Sequence, residues 1–277
     1  MKTPDEFQKA KYSHEKRFIF AQSLLLLSVV FLLVSVIVNP YFFIVTAIML
    51  GLGFLMRTHS KEELRKIEVS FLNKVFKPRL EQRISGTFLP DQGLPKTFFE
   101  GMRVLPLEEV YVSKQRIQGQ IGEIDYKIAY VKFEPFKKKF RGFESQIATF
   151  SGKVFHAVFP SASEEEILLH NKPTEKAENA HEREGYFIET GDVLLAKSLF
   201  EEETFKKIKT FLDFYRSKTE FRLQSNHLIV LVHDYKPFIT TELGHPLSEG
   251  HTERVIENIA RFVELLNALQ NDTTVFK

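Results

Sequence analysis

Nine histidines offer the first chemistry in this chain of 277 residues: His14, His59, His156, His170, His181, His227, His233, His245 and His251. Imidazole titrates near neutral pH and is the commonest metal ligand. His227 and His233 bound an apolar stretch, Asp234 follows at once, and His245 and His251 lie further on. Together these five could converge on a metal ion. No two histidines have the i, i+4 spacing of a helical zinc site, however. The chain has no Cys, which excludes a thiolate metal site, an iron–sulfur cluster, a disulfide scaffold and a Cys nucleophile. It also lacks a G-x-S-x-G elbow and a P-loop. Gly119 and Gly122 are too few and wrongly placed for a dinucleotide fingerprint. Two acidic runs, Glu164 with Glu165 and Glu166, and Glu201 with Glu202 and Glu203, read as helix first turns, where the dipole favours negative charge. The sequence therefore implies no catalytic residue, no cofactor and no metal site.

The densest patch of one sign is Lys137, Lys138, Lys139 and Arg141. It falls between two stretches of strand character and reads as a hairpin tip. Two roles compete. It is either a solvated turn that guards a sheet edge, or a contact for anionic headgroups or an acidic partner. Nucleic acid is not an expected partner, because the formal net charge is only +2 and such binding needs a dominant basic face.

Stepping outward, apolar residues are concentrated before residue 57. Phe18 to Val38 carries no charge over twenty-one residues, enough for about 31 Å of helix and one membrane crossing. Asn39-Pro40 breaks it, since Pro lacks an N–H. Tyr41 to Met56 is a second uncharged run of sixteen residues, roughly 24 Å and slightly short of a bilayer. A cleaved signal peptide fits the first run poorly, because no small-x-small site precedes the second. A buried soluble helix fits the second poorly, because the connection leaves no room for a soluble domain. Lys2, Lys9, Lys11, Lys16 and Arg17 precede the pair, and Arg57, Lys61, Arg65 and Lys66 follow it. The positive-inside rule then places both flanks in the cytoplasm. Ala21, Ser28 and Ser35 recur every seven residues, and Ala47 and Gly51 are four apart. Such small residues let helices approach closely. They pack the two spans together or form a homo-oligomer seam. Neither span holds an ionisable residue, which argues for an anchor and against an ion path.

The expected organisation is a cytoplasmic N-terminal segment (1–17), a transmembrane helical hairpin (18–56), a juxtamembrane amphipathic helix (57–85) and a cytoplasmic α+β domain (86–277). Leu64, Ile67, Phe71, Leu72, Val75 and Phe76 give the juxtamembrane helix its apolar face, Ser60 with Glu63 suggests a capping box, and Pro78 ends or kinks it. That helix either packs on the domain as a stalk or lies along the headgroups. Strand-like alternation follows from Val110 to Phe133 and from Ile147 to Phe159. A charged loop comes next (171–184), then a short strand (185–190) and a helix burying Phe205, Ile208, Phe211, Leu212 and Tyr215, with Ser198 and Glu201 as its capping box. A hairpin turns at Ser225-Asn226, and a final amphipathic helix runs from about Glu253 to Gln270. This order predicts a largely antiparallel sheet with amphipathic helices.

The stretches IGEIDYKIAYVKFEPFKKKFRGFESQIATFSGKVFHAVFP, GYFIETGDVLLAKSLFEEETFKKIKTFL and EFRLQSNHLIVLV follow the two spans in an order that resembles the bacterial membrane proteins grouped as domain of unknown function 3137. The resemblance covers roughly residues 15 to 245. Phe150-Ser151-Gly152-Lys153-Val154-Phe155 only partly matches that family's F-K-G-L-F-like stretch, and the mid-domain strand is looser. The resemblance implies a bacterial inner-membrane protein with a LemA-type partner, and brings no catalytic residues with it. The function expected is an interaction or regulatory module held at the membrane. The alternatives are a membrane-associated hydrolase and a domain that senses a lipid or small molecule.

Overall fold

The computed structural model describes residues 3–37, 41–100, 110–134, 138–140, 143–145, 150–163, 166–171, 180–191, 193–215 and 217–275, with no description of side chains at 138–140, 143–145, 193 and 195. The fold is α+β: an apolar helical pair precedes, in the chain, a nine-stranded antiparallel sheet with helices. The chain divides into two compact units, Met1–Lys77 with Ile239–Glu253, and Pro78–Phe238 with Arg254–Lys277.

In the first unit, helix α1 (Pro4–Ile37) starts well before the apolar run. Its start is a reciprocal capping box: Glu6 N–H donates to Thr3 Oγ (3.3 Å), and Thr3 N–H donates to the Glu6 carboxylate (2.9 Å). Pro4 occupies the first helical position, where its missing N–H costs nothing. Helix α2 (Phe42–Phe71) runs without a break through Ser60. The expected capping box at Ser60 is therefore absent: the helix runs on through the change from apolar to charged residues at Arg57. A π turn (Leu72–Phe76) follows, in which Lys77 N–H donates to Leu72 O five residues back, and α3 (Lys77–Arg83) continues the helix. Pro78 neither ends nor breaks the helix; the chain widens by one residue just before it. The connection at Asn39-Pro40 lies outside the described residues.

In the second unit, the strands are β1 (Gly86–Leu89), β2 (Val110–Ile121), β3 (Ile124–Glu134), β4 (Lys138–Phe140), β5 (Phe143–Ser145), β6 (Phe150–Val158), β7 (Ile167–His170), β8 (Ala180–Arg183), β9 (Tyr186–Glu189), β10 (Thr219–Gln224) and β11 (His227–His233). The helices are α4 (Thr97–Glu100), α5 (Val193–Ser198), α6 (Glu202–Asp213) and α7 (Glu249–Gln270), whose first turns belong to the first unit. The large sheet has the order β1-β2-β3-β6-β11-β10-β7-β9-β8, all neighbours antiparallel, while β4 and β5 pair separately. The β2–β3 hairpin turns at Gly122, whose φ of +57° suits a residue without a Cβ. Glu166 leads directly into β7 rather than opening a helix, and Ala180–Arg183, expected in a loop, pairs as the edge strand β8. Helix α6 is preceded by Glu201, whose N–H is held by the Asp272 carboxylate, so Ser198 does not cap it.

Both faces of the central strands are covered. On one face Phe155 meets Phe211 of α6 at 5.1 Å and Phe262 of α7 at 5.0 Å. On the other, Ala129, Val131, Phe133, Val154, Ile229 and Leu231 pack under Leu94 and Phe99. A strand buried on both faces reads as a near-continuous apolar run, as β11 does in Leu228 to Val232.

Candidate functional site

The helical pair has an inverted pattern of burial. Along α1 the residues buried within the uncharged run are Ala21, Ser28 and Ser35; along α2 they are Thr46 and Gly53, with Ser60 one heptad further on. A Cβ on Gly53 would stand 2.9 Å from the Leu25 side chain and 3.3 Å from the Ala21 carbonyl oxygen, so the backbones approach closely there. The hydroxyls of Ser28, Ser35 and Thr46 donate to carbonyls of their own helices, Leu25, Leu32 and Phe42, at 2.6 to 2.8 Å. The large apolar side chains point away: Leu26 is 72% exposed, Leu33 60% and Ile37 80%. Ala47 and Gly51 lie on this outward side, and nothing stands within 4 Å of a Cβ built on Gly51. The face toward α1 is set by the 46, 53, 60 repeat, which is out of phase with the pair at 47 and 51.

Before the apolar run, the pair carries a polar girdle that holds the segment Ile239–Glu253. Lys11, 1% exposed, donates to the Glu15 carboxylate and to the His245 carbonyl, both at 2.6 Å. Glu15 also accepts from Gly244 N–H (3.3 Å), and the Gln8 side-chain oxygen accepts from Leu247 N–H (2.6 Å). Glu68 of α2 accepts from both the N–H and the hydroxyl of Thr241 at 2.9 Å. Four side chains from two helices are thus directed mainly at one backbone, a strap contributed from more than 170 residues away. Phe7 and Phe71 close the pair edge to face at 5.4 Å. Beside them, burial and the Arg17 charge lower the pKa of His14, while the hydrogen bond from Lys66 lowers that of Glu63.

Within the sheet unit, the polar groups occupy separate places. Lys153 points into the helix-covered face, paired with Asp234 and lying over the rings of Tyr215 and Phe238 at 5.6 and 5.5 Å. Burial lowers its pKa, against the opposing pull of Asp234. Tyr215 is buried and accepts from Asn258; burial and then Asp234 raise its pKa. Tyr130 donates to the Tyr235 carbonyl at 3.2 Å and meets the Ser151 hydroxyl at 2.9 Å. This cluster fastens the end of β11.

On the opposite face His156 Nε2 and His227 Nδ1 are 3.1 Å apart, with ring centroids 5.4 Å apart and planes tilted by 23°. The centroid separation exceeds the nitrogen separation by about two ring radii, so the rings meet end to end in one N–H···N hydrogen bond. Burial, followed by His227 and Lys127, lowers the His156 pKa to about 3. His170 pairs with Glu189 at 2.6 Å, and His233 packs its ring against Phe150.

Of the five groups that the sequence suggested for a metal, His227 meets His156, His233 meets Phe150 and Asp234 holds Lys153; His245 and His251 belong to the first unit, where the His245 carbonyl accepts from Lys11. Among the described residues no three His, Cys, Asp or Glu side chains could hold a metal ion. Of the basic tip, Lys138 and Lys139 lie in β4, while Lys137 and Arg141 fall outside the described residues. Sequence reasoning missed the strap and the His156–His227 pair, because both depend on contacts between distant segments.

No protein-family model matches the chain, and no curated protein matches it. Among solved structures, the crystal structure of the mycobacterial trehalose monomycolate transport factor A covers 72% of this chain and 96% of its own, at 10% identity and a TM-score of 0.39. A likeness that distant carries no argument.

Proposed function

We propose that α1 and α2 cross a bacterial inner membrane twice, with both flanks cytoplasmic, and that the α+β part works there as an interaction or regulatory module. The supporting observation is the inverted burial of the helical pair. Both helices are long and apolar enough to cross a bilayer, with mean hydropathy of 2.5 and 1.6 in their most apolar windows, of which only 17% and 11% is buried. In water large apolar side chains turn inward. Here they turn outward, and small and hydroxyl-bearing residues turn in, as expected where the surroundings are hydrocarbon. The hydroxyls satisfied within their own helices fit the same setting. The flanking Lys and Arg residues set the orientation, and the resemblance over residues 15 to 245 points to the same compartment. A LemA-type protein and a second copy of the chain are the partners this reading names.

Alkaline carbonate extraction of native membranes, with a reporter fused after Lys277, tests the reading. The protein should stay in the pellet and the reporter should be active in the cytoplasm. Release into the supernatant, or an active reporter on the far side, overturns it.

A further inference from the structure

Among the described residues, the sheet face opposite α6 and α7 is covered over only part of its length. The core under Leu94 and Phe99 ends at His156, whose ring meets the edge of Phe98 at 4.7 Å. Beyond it lies an open cleft of about 480 Å³, floored by β1, β2, β3 and β6. The strand register defines what lines the floor. Thr87, Gln118, Lys127 and His156 are successive partners across these four strands and form one rung. The next rung contains Gln120, Asp125, Val158 and then His227 of β11.

The first rung is a row of hydrogen-bond donors: a hydroxyl, an amide, an ammonium and an imidazole. The side chains of Thr87, Gln118 and Lys127 make no hydrogen bond or ion pair to any described residue. His156 is 3% exposed, yet its Nδ1 is a buried nitrogen with no hydrogen-bond partner among the described residues. In a neutral ring joined to His227 through Nε2, Nδ1 carries either an unmatched N–H or an unmatched lone pair. A buried polar group left in this state calls for a partner. The other aromatic side chain of the lining, Tyr126, is buried at 1% exposure and offers no face on which a sugar ring could stack.

We propose that this cleft binds a small oxyanion of the phosphate type. Lys127 supplies the charge, Gln118 and Thr87 supply donors beside it, and the His156–His227 pair closes the inner end of the row, where both rings feel a charge bound at Lys127. Asp125, one rung away, limits the affinity for highly charged anions. The site is independent of the membrane reading: a soluble form of the chain would keep it, and an anchor without it would remain an anchor.

The test uses the full chain in nanodiscs with 15N-labelled histidine. In phosphatidylcholine nanodiscs, inorganic phosphate should shift the His156 and His227 imidazole resonances saturably and leave His170 unmoved. Lys127→Ala should weaken binding by about tenfold, the scale of one charge-assisted hydrogen bond. Asp125→Asn should tighten it. A second set of nanodiscs containing phosphatidic acid, with no added phosphate, distinguishes the source. The same shifts there assign the oxyanion to a lipid headgroup; shifts only with free phosphate assign it to a soluble ligand. Either result supports the site. No shift in both sets, or equal binding by Lys127→Ala and the native chain, overturns it. Lys127 is exposed, so loss of folding does not mask the outcome.

Discussion

The helical pair and the sheet unit are built by opposite rules. In the sheet unit Phe155, Phe211 and Phe262 are packed inside, and charged side chains occupy the outer positions of α6. In the helical pair Ala21, Ser28, Thr46 and Gly53 are inside, and leucines, isoleucines and valines cover the outside. The proposed bilayer would let one chain obey both rules, because burial is always relative to a solvent. Apolar area removed from water stabilises the sheet unit. In hydrocarbon that driving force vanishes, and close backbone approach takes its place.

The comparison can be tested most severely at its aqueous side. Phe155→Ala should destabilise the sheet unit by about 3 to 5 kcal/mol through lost burial and a residual cavity; a chemical-denaturation midpoint near the native value would remove Phe155 from the core. At the other side, Leu26→Asp should cost insertion about 2.5 to 3.5 kcal/mol near a span centre. The same change on a water-exposed surface lies within about 0.5 kcal/mol, so an undiminished carbonate-resistant fraction would contradict a lipid-facing Leu26. Within the pair, Gly53→Val should cost about 1 to 3 kcal/mol by forcing the helices apart, whereas Gly51→Val should change thermal stability in detergent little. Equal effects would mean that the helices meet on a different face.

The remaining test concerns a polar group in the sheet unit, and its size is set by pH. His156 titrates near 6.5 when unfolded and near 3 in the fold, because burial disfavours the imidazolium. The stabilisation from keeping it neutral is complete above pH 6.5. It is lost as pH falls toward 3, at about 1.4 kcal/mol per pH unit, because the unfolded chain takes up the proton first. Melting temperatures between pH 7 and 4 should show this slope in the native chain and a flatter one in His156→Phe.

The fold class was legible because periodicity survives in single segments. Val110 to Phe133 alternates and gives β2 and β3; Phe205 to Tyr215 steps by three and four and gives α6. The seven-residue recurrence of Ala21, Ser28 and Ser35 was equally visible. Which face of α2 would meet them was not, since Ala47 with Gly51 and Thr46 with Gly53 are both small pairs and only the partner helix chooses between them. Ser60 with Glu63 misled because the change in composition at Arg57 does not coincide with a helix end: the helix runs on. Edge strand β8 was hidden because an exposed edge has no buried face to alternate with. The strap left little local trace: apart from the Thr241 hydroxyl, its backbone makes the contacts with Gln8, Glu15 and Glu68, so Ile239 to Glu253 needs no recognisable pattern.

The strap also sets a schedule for biogenesis. Glu68 emerges from the ribosome 173 residues before Thr241, and Glu15 229 residues before Gly244. At about 5 to 20 residues per second, the helices therefore exist for roughly ten seconds or more before the backbone they hold has been synthesised. During that interval Lys11, Glu15 and Glu68 must remain solvated or be held by another molecule. The girdle is thus a waiting surface during synthesis and becomes an internal joint only after residues 239–253 have emerged.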